Sequence, residues 1–149
     1  MKKKGDFMKI STKGRYGLRA LIDICIYSSA EMVTVKSISE RQGISERYLE
    51  QIFSTLKQGG IVKSLKGASG GYIFSKEIKT IKIKELIELL EKDIYCEIDD
   101  SIDSGSLETT LNEVLWREYN KKISDFFDGL SLEDLAEKHK ENKNLMYYI

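Results

Sequence analysis

Apolar positions along the chain fall into helical stripes interrupted by one short alternating stretch. Leu18, Leu21, Ile22, Cys25 and Ile26 repeat at the three-and-four spacing of one helix face. The helix they predict starts near Ser11 or Thr12, either of which can cap it, and ends near Ser28-Ser29. Thr34 precedes a short second helix containing Val35 and Ile38; Thr34-x-x-Ser37 makes only part of a capping box, and Gly43 stops the helix. Ser45 caps a third helix, whose apolar stripe is Tyr48, Leu49, Ile52, Phe53 and Leu56 and which ends at Gly59-Gly60. Ile61 to Lys66 alternates enough for a strand, the glycine-rich run from Gly67 to Gly71 reverses the chain, and Tyr72-Ile73-Phe74 returns as a second strand.

Beyond the hairpin, Thr80 or Lys82 opens a helix with Ile83, Leu86, Ile87, Leu89 and Leu90 apolar. Asp93–Ser106 is acidic and contains Gly and Ser, the composition of a loop or linker. A long helix is predicted from Leu107 to Phe127. Its apolar face is too wide for a lone arm, and predicts a homodimer with Leu111, Leu115, Tyr119, Ile123 and Phe126 in the interface. Gly129 ends it, Ser131-Leu-Glu-Asp134 caps a last helix, and a polar stretch leads to the tail Met146-Tyr147-Tyr148-Ile149. The fold class expected is mainly α with a small β wing. Its parts are a flexible extension (1–7), a winged helix-turn-helix (8–92), a loop (93–106), and a dimerisation helix with the C-terminal tail (107–149).

A short helix, a glycine turn, an amphipathic helix and a hairpin, in that order, point to DNA. The glycine lets two helices cross closely, the second offers its polar face to the major groove, and the hairpin serves as a wing. That polar face is Ser45, Glu46, Arg47, Glu50, Gln51 and Ser54, and Lys63 and Lys66 bring positive charge to the hairpin. The zero net charge hides a division that fits this reading. Residues 1–76 hold 14 Lys/Arg against 6 Asp/Glu, a balance of +8; residues 77–149 hold 10 against 18, a balance of −8. An enzyme is not expected. The glycine run lacks the Gly-Lys-Ser/Thr ending of a phosphate loop and leads into a strand, and the single histidine, His139, lies in a charged helix with no catalytic set around it. No secretory signal or membrane span is expected, and Cys25 and Cys96 are expected reduced in a cytoplasm.

Four motifs carry a family resemblance. Met8-Lys-Ile-Ser-Thr-Lys-Gly-Arg-Tyr-Gly-Leu-Arg-Ala-Leu21, Ile38-Ser-Glu-Arg-Gln-Gly-Ile-Ser45, Tyr48-Leu-Glu-Gln51 and Gly67-Ala-Ser-Gly-Gly-Tyr72 resemble the Rrf2 type of bacterial winged-helix regulators. The resemblance implies a homodimer whose long helix crosses to its mate, with Arg47 and Glu50 facing base edges and Lys66 at the wing. It also implies DNA contacts from Lys9, Ser11, Lys13 and Tyr16 in the opening motif and from Ser37, Ser45, Tyr48 and Gln51 around the helix pair. At the wing it implies Lys63, Ser69, Gly70, Gly71 and Tyr72.

What the regulator senses turns on the loop. Cluster-binding members of the family place three cysteines there, whereas this chain has Cys96 alone. Thiolates are the usual cluster ligands, so no iron–sulfur cluster is expected unless carboxylates such as Glu97 or Asp99 take part. Cys25, on an apolar stripe, reads as core, and no metal is expected at His139. Loss of the cluster cysteines and the tail together resemble the cysteine metabolism repressor branch, implying control of cysteine and sulfur genes and a complex with cysteine synthase. Met146, Tyr147, Tyr148 and Ile149 would dock in that enzyme with the free carboxylate held by backbone N–H groups. Packing of the same tail on its own domain is the alternative, and a redox- or iron–sulfur-responsive regulator is the alternative function.

Overall fold

The computed structural model describes residues 9–28, 33–67 and 70–146. The elements follow in the order α1 (Thr12–Tyr27), α2 (Val35–Gln42), α3 (Glu46–Gln58), β1 (Val62–Leu65), β2 (Gly71–Phe74), α4 (Ile83–Leu90), α5 (Leu107–Leu111), a π-helical turn (Asn112–Trp116), α6 (Arg117–Asp128) and α7 (Leu132–Met146). The strands are antiparallel, with Val62 opposite Phe74 and Leu65 opposite Gly71. Helices α1 to α4 and the hairpin surround one core, built on Leu21, Ile24, Ile38, Leu49, Ile52, Phe53, Leu56, Ile61, Leu86 and Ile87. Phe53 of α3 stacks on Tyr72 of β2 with ring centroids 4.5 Å apart, and so fixes the wing to the helix beside it.

Local signals set the helix ends. Thr34 and Ser37 form a complete capping box, because the Ser37 hydroxyl reaches back to the Thr34 N–H (3.0 Å) as a Glu or Gln side chain would. Gly43 closes α2 in the left-handed conformation (φ 67°). The Ser45 hydroxyl accepts from the Tyr48 N–H and so starts α3.

Two expectations for α1 are corrected. Ser11 sits at the N-cap position, but its hydroxyl bonds to no N–H of the helix. The cap comes from Glu91, just past the end of α4. Its Oε1 accepts from the Ser11 N–H (2.8 Å), the Ser11 hydroxyl (2.8 Å) and the Gly14 N–H (3.0 Å). The buried face is also rotated from the apolar stripe. Gly14, Gly17, Ala20, Leu21, Asp23 and Ile24 are buried, whereas Leu18, Ile22, Cys25 and Ile26 are half-buried. The reason is close approach. A Cβ on Gly14 would stand 2.2 Å from Glu91 Oε1, one on Gly17 2.6 Å from Leu90 Cδ1, and one on Gly59 2.5 Å from Leu89 Cδ1. Three consecutive residues at the end of α4 thus each press against a glycine of α1 or of the α3 terminus.

Asp23 fixes α1 to α2. Its buried carboxylate accepts from Arg41 Nε (2.9 Å) and Arg41 Nη2 (2.7 Å) and from Gln42 Nε2 (2.9 Å), so every donor it needs comes from the end of α2. Removing one partner of such a pair costs roughly 3–5 kcal/mol, because a buried charge is left behind.

The C-terminal half returns to this core. The Ile83 N–H bonds to the Leu130 carbonyl and the Leu132 N–H to the Ile81 carbonyl, both at 2.9 Å. Leu132 and Ala136 of α7 are buried, and Leu132 joins the same cluster as α1 and α4. The core therefore crosses the boundary expected at residue 92. Helix α7 continues to Met146, so that residue ends a helix and is not part of a free tail; Tyr147, Tyr148 and Ile149 lie outside the described residues.

Replacing Gly14 by Ala is expected to destabilise the protein by about 1–3 kcal/mol, because the new Cβ displaces the Glu91 carboxylate and strands two N–H groups. In a Glu91→Ala background the same change is expected to be neutral or mildly stabilising, since Ala is the better helix former. Urea unfolding of the two single variants and the double variant measures the coupling. Equal costs for Gly14→Ala in both backgrounds would remove Glu91 as the cap of α1.

Candidate nucleic-acid interface

Successive residues of α3 turn by roughly 100°, so Glu46, Arg47, Glu50 and Gln51 spread over an arc of about 140°. All four are exposed, while Leu49, Ile52, Phe53 and Leu56 on the opposite side are fully buried. The polar face expected from the sequence is thus the open face of the helix. The wing stands beside it, tied by the Phe53–Tyr72 stack and by Lys57 Nζ donating to the Ser64 hydroxyl at 2.8 Å. Between them runs an open groove of about 760 Å³, lined by Lys36 of α2, Glu46 and Glu50 of α3, and Ser64, Gly70 and Tyr72 of the wing. Lys63 and Lys66 are exposed, as is Gly70, whose φ of 42° belongs to the left-handed region. Gly71 is buried at the start of β2, and Ser69 lies outside the described residues.

The remaining expected contacts divide by what their side chains already do. Lys9 is exposed beside α1. Lys13 donates to the Thr55 hydroxyl of α3 at 2.9 Å, and Tyr16 meets Tyr48 edge-on at 5.9 Å, so both join α1 to α3. Ser11 is engaged by Glu91, and Ser37 is saturated by Thr34 and Arg41. Tyr72 lies flat on Phe53. These residues hold α3 and the wing in place, whereas Arg47, Glu50, Gln51, Lys63 and Lys66 are exposed and have no side-chain partner among the described residues. The motifs did not mark Lys36, Thr55 or Glu91. Lys36 carried a signal, a lone cation in the first turn of the helix before the turn; the other two carried none.

The long helix has an apolar surface outside. Leu107 is 85% exposed, Val114 72% and Phe126 63%, with Leu111 and Leu115 also exposed. Tyr119 and Ile123 are half-buried instead, facing an apolar recess of about 260 Å³ shared with Ile10, Ile94 and Phe127. The expected interface residues therefore lie on two sides of the helix.

Residues 93–106 are held against this helix by polar side chains. Asn120 donates to the Cys96 carbonyl (2.9 Å) and accepts from the Cys96 N–H (2.8 Å), Asn112 donates to the Asp99 carbonyl (3.4 Å), and Arg117 pairs with Asp100. In an unbroken α-helix, Asn112 and Arg117 would point about 140° apart. The wider π turn, in which the Arg117 N–H bonds five residues back to the Asn112 carbonyl, brings them to one side. Asp99 is itself engaged by the Ser101 N–H and hydroxyl, which hold its carboxyl below the usual range. The loop offers one thiol, whose backbone is clamped by Asn120, where thiolates are the usual cluster ligands; the Asp99 carboxylate is engaged by Ser101 and that of Asp100 by Arg117, while Glu97 is exposed. No group of three or more His, Cys, Asp or Glu side chains suited to a metal occurs among the described residues. Burial pushes the Cys25 thiol up to about 12, offset in part by Lys140, so it is protonated throughout the physiological range. His139 is exposed on α7. No helix among the described residues is long and apolar enough to cross a membrane.

Residues 10–138 match the family described as Iron-dependent Transcriptional regulator (Rrf2). The HTH-type transcriptional regulator IscR of Erwinia tasmaniensis is 36% identical over 132 residues, which span 87% of this chain and 79% of that one. Among solved structures, T. potens IscR superposes with a TM-score of 0.71 at 35% identity, covering 90% of both chains. CymR (YrzC), the global cysteine regulator of B. subtilis, superposes with a TM-score of 0.72 at 34% identity, covering 89% of this chain and 98% of that one. With a family match over most of its length and relatives above 30% identity, the chain belongs to the Rrf2 family of DNA-binding transcriptional regulators and is not an enzyme.

Proposed function

We propose that this regulator is a homodimeric repressor of cysteine and sulfur metabolism genes that binds its operator without an iron–sulfur cluster. The observation that carries the proposal is the loop of residues 93–106, which closes on the long helix through Asn112, Arg117 and Asn120 and contains one thiol. A loop held by its own side chains needs no cofactor to order it. The likeness to CymR supports the cysteine branch. An iron–sulfur-responsive regulator is the second reading, favoured by the IscR relatives. Operator contact in this proposal runs through Arg47, Glu50 and Gln51 to base edges, and through Lys63 and Lys66 to phosphates. The dimer forms through the exposed apolar surface of α5, the π turn and α6. In this proposal the segment Met146-Tyr147-Tyr148-Ile149 docks into cysteine synthase.

Arg47→Ala and Glu50→Ala are each expected to lower discrimination between operator and random duplex by roughly 1–3 kcal/mol. Lys63→Ala is expected to weaken all DNA alike and to lower the salt slope by about one unit. Fluorescence anisotropy across a salt series reads both, and equal losses on operator and random DNA for Glu50→Ala would take α3 out of the groove.

Sedimentation at micromolar concentration is expected to give a dimer, and Phe126→Glu to give a folded monomer with weakened operator binding. A stable wild-type monomer would end the dimer proposal.

Anaerobic incubation with iron and sulfide is expected to leave no stable visible absorption and no change in operator affinity. Iodoacetamide at pH 8 is expected to spare Cys25 in the folded protein, because its pKa lies near 12, and to modify it after unfolding. A stoichiometric cluster whose loss shifts DNA affinity would select the iron–sulfur reading.

A further inference from the structure

The groove between α3 and the wing holds two carboxylates where a polyanion is expected. Glu46 is the first residue of α3, fixed there by the Ser45 cap, and therefore sits at the end of the recognition helix that approaches base edges most closely. Glu50 lies four residues on, on nearly the same face, and both line the groove with Lys36. Both are exposed, and neither has an ion-pair partner or a side-chain hydrogen bond among the described residues.

Two negative side chains this close to phosphates weaken binding unless each finds a donor. A carboxylate only accepts hydrogen bonds. In the major groove the donors are the amino groups of cytosine N4 and adenine N6, whereas guanine and thymine present only acceptors or a methyl group there. A four-residue step along a helix rises about 6 Å, close to two base-pair steps of about 3.4 Å. Lys36, at the mouth of the same groove on the first turn of α2, supplies the positive charge that offsets the repulsion.

We infer that Glu46 is a second base-reading residue, so that Glu46 and Glu50 select amino-bearing bases, cytosine or adenine, at two positions about two base pairs apart in each half-site, with Lys36 holding the adjoining phosphate. This rests on the proposed seating of α3 in the major groove and adds a specificity determinant to it. The alternative role for Glu46 is electrostatic: a carboxylate in the first helical turn stabilises α3 through its dipole and reads nothing.

Selection from a randomised duplex pool separates the two, using the full-length protein and its Glu46→Ala, Glu46→Gln, Glu50→Ala and Lys36→Ala variants, with urea midpoints checking folding. Glu46→Ala is expected to abolish a preference of roughly tenfold or more for cytosine or adenine at one position and to leave the Glu50 position unchanged. Glu46→Gln, which both donates and accepts, is expected to move that position towards adenine. Lys36→Ala is expected to weaken binding without altering the selected sequence. If the Glu46→Ala pool matches wild type while the Glu50→Ala pool changes, the inference fails and the seating of α3 stands. If neither pool changes, the seating itself fails.

Discussion

The position of the recognition helix depends on one carboxylate. Glu91 ends α4 and fills the N-terminus of α1, where three donors converge on its Oε1. The contact is possible only because α1 approaches α4 across glycine. A methyl group on Gly14 would occupy the carboxylate's place, and one on Gly17 would collide with Leu90. The first turn of α1 then holds α3, through Lys13 to Thr55 and Tyr16 to Tyr48. Through these contacts the end of α4 sets where α3 lies relative to α1, and α3 sets the wing through Phe53 and Tyr72. An exposed acid at this N-terminus would contribute a fraction of a kcal/mol, but a half-buried one satisfying two backbone N–H groups contributes more, because its absence leaves those groups unpaired.

The same residue borders the loop of residues 93–106. Ile94 is buried in the core three positions after Glu91, and Cys96 is clamped by Asn120 two positions later. A few residues therefore separate the cap of the DNA-binding head from the long helix. The loop, the core and the helix cap thus meet within six residues.

Much of this was legible in the sequence. Helix stripes, caps and glycine stops located α2, α3 and the hairpin, because each rests on local rules that act within a few residues. Ser45, Gly43 and the polar face of α3 needed no knowledge of the rest of the chain. The misreadings share a different cause. Glu91 caps a helix 80 residues away in sequence, and no local pattern marks a side chain that serves a distant terminus. The buried face of α1 was hidden for the same reason: its glycines and Ala20 bury little area themselves and matter through what they admit. Asp23 carries no local sign of burial, because the donors that let it lie inside come from the end of α2. The wide apolar surface of the long helix was legible, but its division into an outward strip and an inward recess depends on the loop and on the π turn, which no spacing rule anticipates.

Charge is distributed unevenly between the two halves of the molecule. The basic balance of residues 1–76 and the acidic balance of residues 77–149 would cancel at long range, and at physiological ionic strength fields fade over about 8 Å. What steers the polyanion is therefore the local face, and the two halves present different ones. The wing brings Lys63 and Lys66, and α2 brings Lys36, around the groove. The loop and long helix offer Asp99, Asp100, Asp103 and Glu113, the first tied to Ser101 and the second to Arg117. An acidic surface there repels phosphate. It also leaves the apolar strip of Leu107, Val114 and Phe126 flanked by charges that resist non-specific aggregation, so that the surface most suited to self-association is also kept from associating with everything else.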